Sequence, residues 1–543
     1  MKVKQKQNSR KKTRTVEQFT HEFFLIKNNK VVKYSPIFIS ILYFIILLIA
    51  AFSYHKIGDY GVETDFYEGL VYEAKEFLKG NLIIEGYKGP LYPIVLAIFS
   101  FILGDYFKVG VFISVLSSAV FLYFSFKTLE KVFGFEVALG SVLLILSNSI
   151  FIQYSYSAGT DLFFCSLAIL SIYFLIKGDY LKYSSIFISG VFASLAFLTR
   201  TNGLFLPTAA VFSFLIFKFS SKSYRVLIKH VFTYLAGFIL LNIPWSYYKY
   251  IKTGDPFYDR NFTNTAWELY GKGKMSWDYF QSVEVQKFQS MRDVILRDPV
   301  YFFQEILVKN FYQNFLGDLE KLLPLPMSIL LVIGILFLFK RKYKKNEVFF
   351  FLNIFFSFLI LLPAFYSERF SLFLLVGYSA IVMLLLTHSK FKDWKIGKIN
   401  IGFVVFMITF IWSSVQAFSH NSKWINAGPQ EVLRIAEVIP DSIKNEKNLL
   451  IARKPPAAYH FNMSYHKFPY VTTYDSLISW MKSKNAKYFF VSTFELQTLL
   501  SYTKSQTEQK KFYYLIDPSI PKNELEVIAY TYDPPSVLYE IIY

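Results

Sequence analysis

The segment from Ser53 to Lys108 places the acids Glu63, Asp65 and Glu68 ahead of a base, Lys88, in a tight turn before Gly89-Pro90. A carboxylate placed there can take a proton from an attacking hydroxyl or amine, and a fixed cation can hold a phosphate through charge-assisted hydrogen bonds. The same two types recur further along: Asp161 behind Thr160, Arg200 alone in LTRTNG, and the pair Glu368-Arg369. Each lies at the edge of an apolar run, where an ionisable group is costly and so hints at function. Each also admits a plainer reading. Asp65 and Asp161 suit helix N-caps, Lys88 and Arg200 suit snorkelling anchors, and Glu368-Arg369 suits a local salt bridge.

The elements that must position these residues are membrane spans. A mean hydropathy of +0.34 in a chain 54% hydrophobic and only 18% charged marks a polytopic membrane protein. The formal charge of +19 falls in short clusters between apolar runs, the pattern of membrane orientation rather than of nucleic-acid binding. The single Cys165 lies inside an apolar run, so no intramolecular disulfide forms. The 61 Phe and 40 Tyr serve mainly as lipid-facing bulk and interfacial belts. Trp245, Tyr247 and Tyr248, beside Lys249 and Lys252, also suit stacking on a sugar.

Residues 1–34 carry ten Lys/Arg against two acids and read as a basic, disordered cytosolic tail. Ser35–Ser53 reads as a retained first anchor. Ten further apolar runs follow, Val109–Phe126, Val137–Tyr156, Leu162–Ile176, Tyr183–Leu198, Gly203–Phe217, Val231–Tyr247, Leu322–Phe339, Val348–Phe365, Phe370–Thr387 and Ile401–Phe418, for about 11 spans. Pro90–Gly104 is apolar too. If it does not cross, the five Lys/Arg-rich connections stay on the cytosolic side with the tail; if it crosses, all five fall outside. It therefore reads as a re-entrant or surface-lying helix, and VETDFYEGLVYEAKEFLKGN before it as a second, amphipathic one. The same parity puts the opening loop, Asp161, Arg200, Tyr248–Lys321, Glu368-Arg369 and the carboxy-terminal tail on one outer side. In that tail, NLLIA, KYFFVST and LEVIAYTY read as strands and Tyr474–Lys484 as a helix, giving a small α/β domain over 420–543. The expected architecture is a mainly α polytopic helical bundle over 35–419, with external surface-lying helices and this small external domain.

In chain order, TDFYE, KGPLYPIVLA, KTLEKVFG, YSAGTDLFF, LAFLTRTNGLFLP, IPWSYYKYIKTGDPFY and SERFSLFLL resemble the GT-C superfamily of polyprenyl-phosphate-sugar-dependent transferases. The bacterial branch related to protein O-mannosyltransferases and to the lipid A aminoarabinose transferase is the most similar, over about residues 50–400. The resemblance implies an integral-membrane glycosyltransferase of the plasma (inner) membrane, with its amino terminus cytosolic and its carboxy-terminal domain extracytoplasmic. It would move a sugar from a polyprenyl-phosphate donor, with inversion, to a lipid, polysaccharide or protein acceptor. By the same resemblance Asp65 is the loop acid that acts on the acceptor, Asp161 helps to build the site, and Lys88 meets the lipid phosphate. Arg200 and Arg369 fall at basic positions of similar motifs, with Glu63, Glu68 and Glu368 as supporting acids. At Lys88-Gly89-Pro90, relatives often have paired prolines. No His pair points to a metal, although Glu63, Asp65 and Glu68 leave a divalent cation open. Other classes that fit are a transporter or flippase of lipid-linked sugars, a polysaccharide polymerase or ligase, and a sensor or assembly protein whose tail binds a partner.

Overall fold

The computed structural model describes residues 23–24, 29–217, 224–339, 341–389, 391, 394–396 and 399–543. Most of the expected amino-terminal tail, with Lys218, Lys222, Lys340, Lys390, Lys392 and Lys398 of the basic connections, lies outside the described residues. The chain is mainly helical. The first helix, α1 (Asn29–Tyr54), shows its apolar face at Phe38, Ile41, Ile45 and Ile49, as a helix against lipid does. After the opening loop come α2 (Val71–Leu78), α3 (Leu91–Leu103) and the central α4 (Tyr106–Phe133), buried around Phe121, Phe126 and Leu129. Asp105 caps α4 by accepting from the Lys108 amide at 3.1 Å.

The bundle continues through α5 (Phe135–Leu146), α6 (Ser149–Tyr156), α7 (Asp161–Lys177), α8 (Tyr183–Thr199), α9 (Phe205–Phe217) and α10 (Tyr224–Thr253). It closes with α11 (Leu325–Leu338), α12 (Lys345–Leu359), α13 (Leu375–Leu386) and α14 (Ile401–Trp424). The span expected over Val137–Tyr156 is a pair bent by 68° at Ser147-Asn148. There the Asn148 side chain accepts from the Phe151 amide at 2.9 Å and donates to the Leu322 carbonyl at 2.7 Å. Helices α8 and α10 pack backbone to backbone: a Cβ on Gly190 would lie 2.2 Å from the Tyr234 carbonyl oxygen.

Every run expected to span contains a helix, but among the described residues only four helices are long and apolar enough to cross a membrane alone, or five with the bent pair. Short 3₁₀ or π turns adjoin several of the shorter ones, at Thr201–Leu204 between α8 and α9, at Asp318–Leu322 before α11 and at Leu372–Leu374 before α13. Pro90–Gly104 is α3, whose Phe101, Ile102 and Leu103 are exposed. The long segment after α10, which carried no expected elements, is a run of short helices from Phe262 to Leu322.

The carboxy-terminal residues form a five-stranded mixed sheet in the order β2-β1-β3-β5-β4. Its strands are β1 (Leu449–Ala452), β2 (Ser464–Lys467), β3 (Tyr488–Ser492), β4 (Leu525–Tyr532) and β5 (Pro535–Ile541). Strand β1 runs parallel to β2 and β3, and β5 antiparallel to β3 and β4. Strand β3 is buried on both faces, between Leu477, Met481 and Leu499 on one side and Val432, Ile435 and Phe461 on the other. Ile57, from the loop after α1, joins the second cluster, and a Cβ on Gly428 would lie 2.4 Å from the Ile57 carbonyl oxygen. The opening loop is thus pinned to the sheet unit at one end.

Candidate active site

The opening loop leaves α1 at Tyr54 and turns on Glu63. The buried Glu63 carboxylate accepts from the Ala158 amide at 2.5 Å and the Asp59 amide at 3.2 Å, and lies 3.0 Å from His55 Nε2. It ties the loop to the one before α7, and so fixes the relative positions of Asp65 and Asp161. Asp65 follows two residues later, ahead of a π turn over Phe66–Leu70.

Asp65 makes no capping hydrogen bond. Its Oδ2 instead accepts from Lys88 Nζ at 3.2 Å and Arg369 Nη2 at 3.1 Å. Both cations use that one oxygen, and among the described residues Oδ1 has no hydrogen bond. The Asp65 side chain is 46% exposed, against 18% for each cation, so its carboxylate faces open space while its partners are held behind it. The Lys88 charge, helped by Arg369 and opposed by burial, holds the Asp65 carboxyl well below the usual carboxylate range. Burial disfavours the charged form of Arg369, but the charges of Asp161 and Asp65 outweigh it and push its pKa up.

Lys88 reaches Asp65 because its turn lies against the end of α8. Lys88 and Arg200 form an isolated antiparallel backbone bridge, and a Cβ on Gly89 would fall 2.0 Å from the Leu198 carbonyl oxygen. Only a glycine permits that approach. The same loop is stapled by Tyr248 Oη to the Leu82 carbonyl at 2.7 Å and by the Arg260 amide to the Gly86 carbonyl at 2.8 Å.

A second ion pair sits beside the first. Arg200 Nη1 donates to Asp161 Oδ1, and lies 3.4 Å from Thr160 Oγ1. Asp161 is in the first turn of α7, and Thr160 makes no side-chain cap. The ring of Phe370 links the two pairs, with the Arg200 and Arg369 guanidinium carbons each 5.0 Å from its centroid.

The structure therefore brings Asp65, Lys88 and Arg369 into contact, joins Asp161 to Arg200, and couples the two groups through Phe370. Arg369 turns to Asp65 rather than to Glu368, whose side chain joins neither pair among the described residues. Glu63 braces the loops. Glu68 lies on the π turn, where its charge is felt by Glu85 and Lys454. Among the described residues no three or more His, Cys, Asp or Glu side chains gather as metal ligands, and Glu63 and Asp65 turn to separate partners.

Four residues of the site were not singled out from the sequence: Phe370, Glu73, Glu85 and Lys454. Phe370 follows Arg369 directly, and Glu85 lies three residues before Lys88 in EGYKGP, adjacency that was a usable signal. Glu73 and Glu85 are close, and a buried oxygen of each lacks a hydrogen bond. Burial, then the Glu85 charge, pushes Glu73 up to about 7. Lys454, from the loop after β1, donates to Thr64 Oγ1 at 3.1 Å, so the sheet unit touches the residue next to Asp65.

Residues 87–248 match the family described as dolichyl-phosphate-mannose-protein mannosyltransferase. No protein of curated function matches in sequence. Among solved structures, ArnT from Cupriavidus metallidurans bound to undecaprenyl phosphate is similar over 92% of this chain and 97% of its own, with a TM-score of 0.56 at 11% identity. The oligosaccharyltransferase AglB from Archaeoglobus fulgidus, in complex with an inhibitory peptide and a dolichol-phosphate, is similar over 89% of this chain and 75% of its own, with a TM-score of 0.56 at 11% identity.

Proposed function

From a multi-pass membrane chain with the GT-C superfamily fold, similar to the O-mannosyltransferases and to ArnT, we propose an integral-membrane glycosyltransferase. It moves a sugar from a polyprenyl-phosphate donor to an extracytoplasmic acceptor, a lipid, polysaccharide or protein, with inversion. The observation that carries this reading is the Asp65 carboxylate, with one oxygen clamped by Lys88 and Arg369 and the other open. In support, the neighbours bound to undecaprenyl phosphate and to a dolichol-phosphate have the same fold.

The reaction divides between these groups. The donor phosphate docks on Lys88 and Arg369, with Arg200 against the same Phe370 ring as Arg369. As the bond from the anomeric carbon to the phosphate oxygen lengthens, negative charge grows on that oxygen, and the fixed cations stabilise it more than they stabilise the ground state. Held by two cations, Asp65 is a weak base. Once the phosphate draws Lys88 and Arg369 away, its basicity recovers, and Oδ1 takes the proton of the acceptor hydroxyl or amine as that atom attacks the opposite face. Binding of the donor thus switches on the base. Asp161 keeps Arg200 in place.

The proposed topology has eleven spans, the shorter helices completing their crossing through the 3₁₀ and π turns at their ends. The basic tail and the basic connections lie in the cytosol, and the site and the sheet unit lie outside. The domains follow as a tail over 1–34, a catalytic bundle over 35–419 and a sheet unit over 420–543, in the plasma (inner) membrane.

The test is acceptor-dependent release of polyprenyl phosphate in membranes that contain the full chain. Asp65→Asn is expected to lower turnover by about 10²- to 10⁴-fold, the usual worth of general-base help, at unchanged protein level. Full turnover in that variant would overturn the assignment of the base.

A further inference from the structure

A second polar cavity lies away from the Asp65 site, where the outer end of α1, the corner between α3 and α4, and the sheet unit meet. It encloses about 480 Å³ and is lined by none of Asp65, Lys88, Asp161, Arg200 or Arg369. Three lysines face it, Lys56, Lys75 and Lys108, against one acid, Asp105. Their local partners are weak or exposed. Lys108 is 3.5 Å from Asp105, Lys56 donates to the Phe52 carbonyl at 2.9 Å, and Lys75 meets the half-exposed Glu446 at 2.6 Å. His460 completes the wall, and its buried Nε2 has no hydrogen-bond partner. Burial pushes the imidazole down to about 4, so at neutral pH the ring is uncharged, and with its proton on Nε2 it can donate one hydrogen bond into the cavity.

The rim has the opposite character. Phe52 and Val111 line the cavity, and next to Gly104 the exposed Phe101, Ile102 and Leu103 continue the apolar edge along α3. A free anion has no use for that edge, whereas a lipid uses both halves, its headgroup among the lysines and its chains along α3. We propose that this cavity binds a membrane lipid with an anionic phosphate headgroup, with Lys56, Lys75, Lys108 and the His460 Nε2 around the phosphate. Because His55 lines the same cavity and holds Glu63 at 3.0 Å, the bound lipid braces the loop that carries Asp65. The binding itself does not depend on the transferase reading.

The full-length chain, purified in mild detergent, is examined by native mass spectrometry with dioleoylphosphatidylglycerol, dioleoylphosphatidylcholine and inorganic phosphate as probes, and by melting with each. One phosphatidylglycerol per chain is expected to survive delipidation, with phosphatidylcholine retained at least fivefold less, and inorganic phosphate is expected to leave the melting temperature unchanged. The triple variant Lys56→Gln, Lys75→Gln, Lys108→Gln is expected to lose the retained lipid. Lys108→Glu alone, at an exposed side chain that folding does not need, is expected to reduce it at least threefold. Equal retention of phosphatidylcholine, full retention in Lys108→Glu, or stabilisation by inorganic phosphate equal to that by phosphatidylglycerol would each overturn the site.

Discussion

Asp65 and Asp278 are both aspartates set between two cations, yet they are built for different ends. Asp278, in the segment after α10, accepts from Arg453 Nη2 at 3.1 Å, Lys467 Nζ at 2.7 Å and Tyr502 Oη at 2.6 Å, and its side chain is 14% exposed. Both of its oxygens are used, and every partner comes from the sheet unit, so the cluster is a closed clasp between that unit and the segment before α11. Asp65 has the same charges around it but commits one oxygen and leaves the other facing open space. A saturated carboxylate holds parts together; an unsaturated one can exchange partners with a ligand.

The largest effects should separate the two. Asp65→Asn is expected to cost about 10²- to 10⁴-fold in turnover with a smaller loss of stability than Asp278→Asn, since Arg369 keeps the charge of Asp161 beside it. Asp278→Asn is expected to do the reverse, lowering stability by about 3 kcal/mol because Arg453 and Lys467 lose their counter-charge. Melting curves beside turnover per folded protein check this, and a stability loss in Asp65→Asn equal to that of Asp278→Asn would erase the contrast. Next in size is Gly89→Ala. Its Cβ would meet the Leu198 carbonyl oxygen at 2.0 Å, so the turn must move and carry Lys88 with it. About 10²-fold loss of turnover is expected in a folded protein. Lys88→Ala is expected to weaken binding of undecaprenyl phosphate by about tenfold, the worth of one charge-assisted bond, as read by titration in detergent.

The smallest effect concerns Glu73. Its pKa in the folded chain, about 7, lies above that of an unfolded glutamate, so between those values the folded state binds more protons. Stability from this group is full at low pH and is lost as pH rises from about 4.3 through about 7. Glu73→Gln is expected to flatten that stretch of the melting-temperature profile. For Asp65 the sign is opposite: its lowered pKa adds stability above the unfolded value near 3.9, lost only as pH falls below it.

Helices, and strands of alternating or continuous apolar residues, were legible in the sequence because their periods are local. LLIA, YFFVS and LEVIAYTY are strands, and Tyr474–Ser483 is a helix. Strand β2, SYHK, was not legible, since it lies at the sheet edge and three of its four residues are polar. Strand β5 opens with a proline and hides its character behind a turn. The short helices of 262–322 are too brief for any period to show. At the site, residue types at the membrane edge marked Asp65, Lys88, Asp161, Arg200 and Arg369 as candidates. Their pairing could not be read from spacing: Asp65 and Arg369 are 304 positions apart, and only the folded chain turns Arg369 away from its neighbour Glu368. The close approach at Gly89 was likewise invisible, because it depends on where α8 ends.

The central claim is that a lipid phosphate and the Asp65 carboxylate compete for the same two cations. A cryo-electron-microscopy structure of the full chain with undecaprenyl phosphate tests it most directly. The expected result is phosphate density within hydrogen-bond distance of Lys88 Nζ and the Arg369 guanidinium, with Asp65 Oδ2 moved off at least one of them. Phosphate bound elsewhere, with the contacts from Asp65 to Lys88 and Arg369 intact, would contradict it.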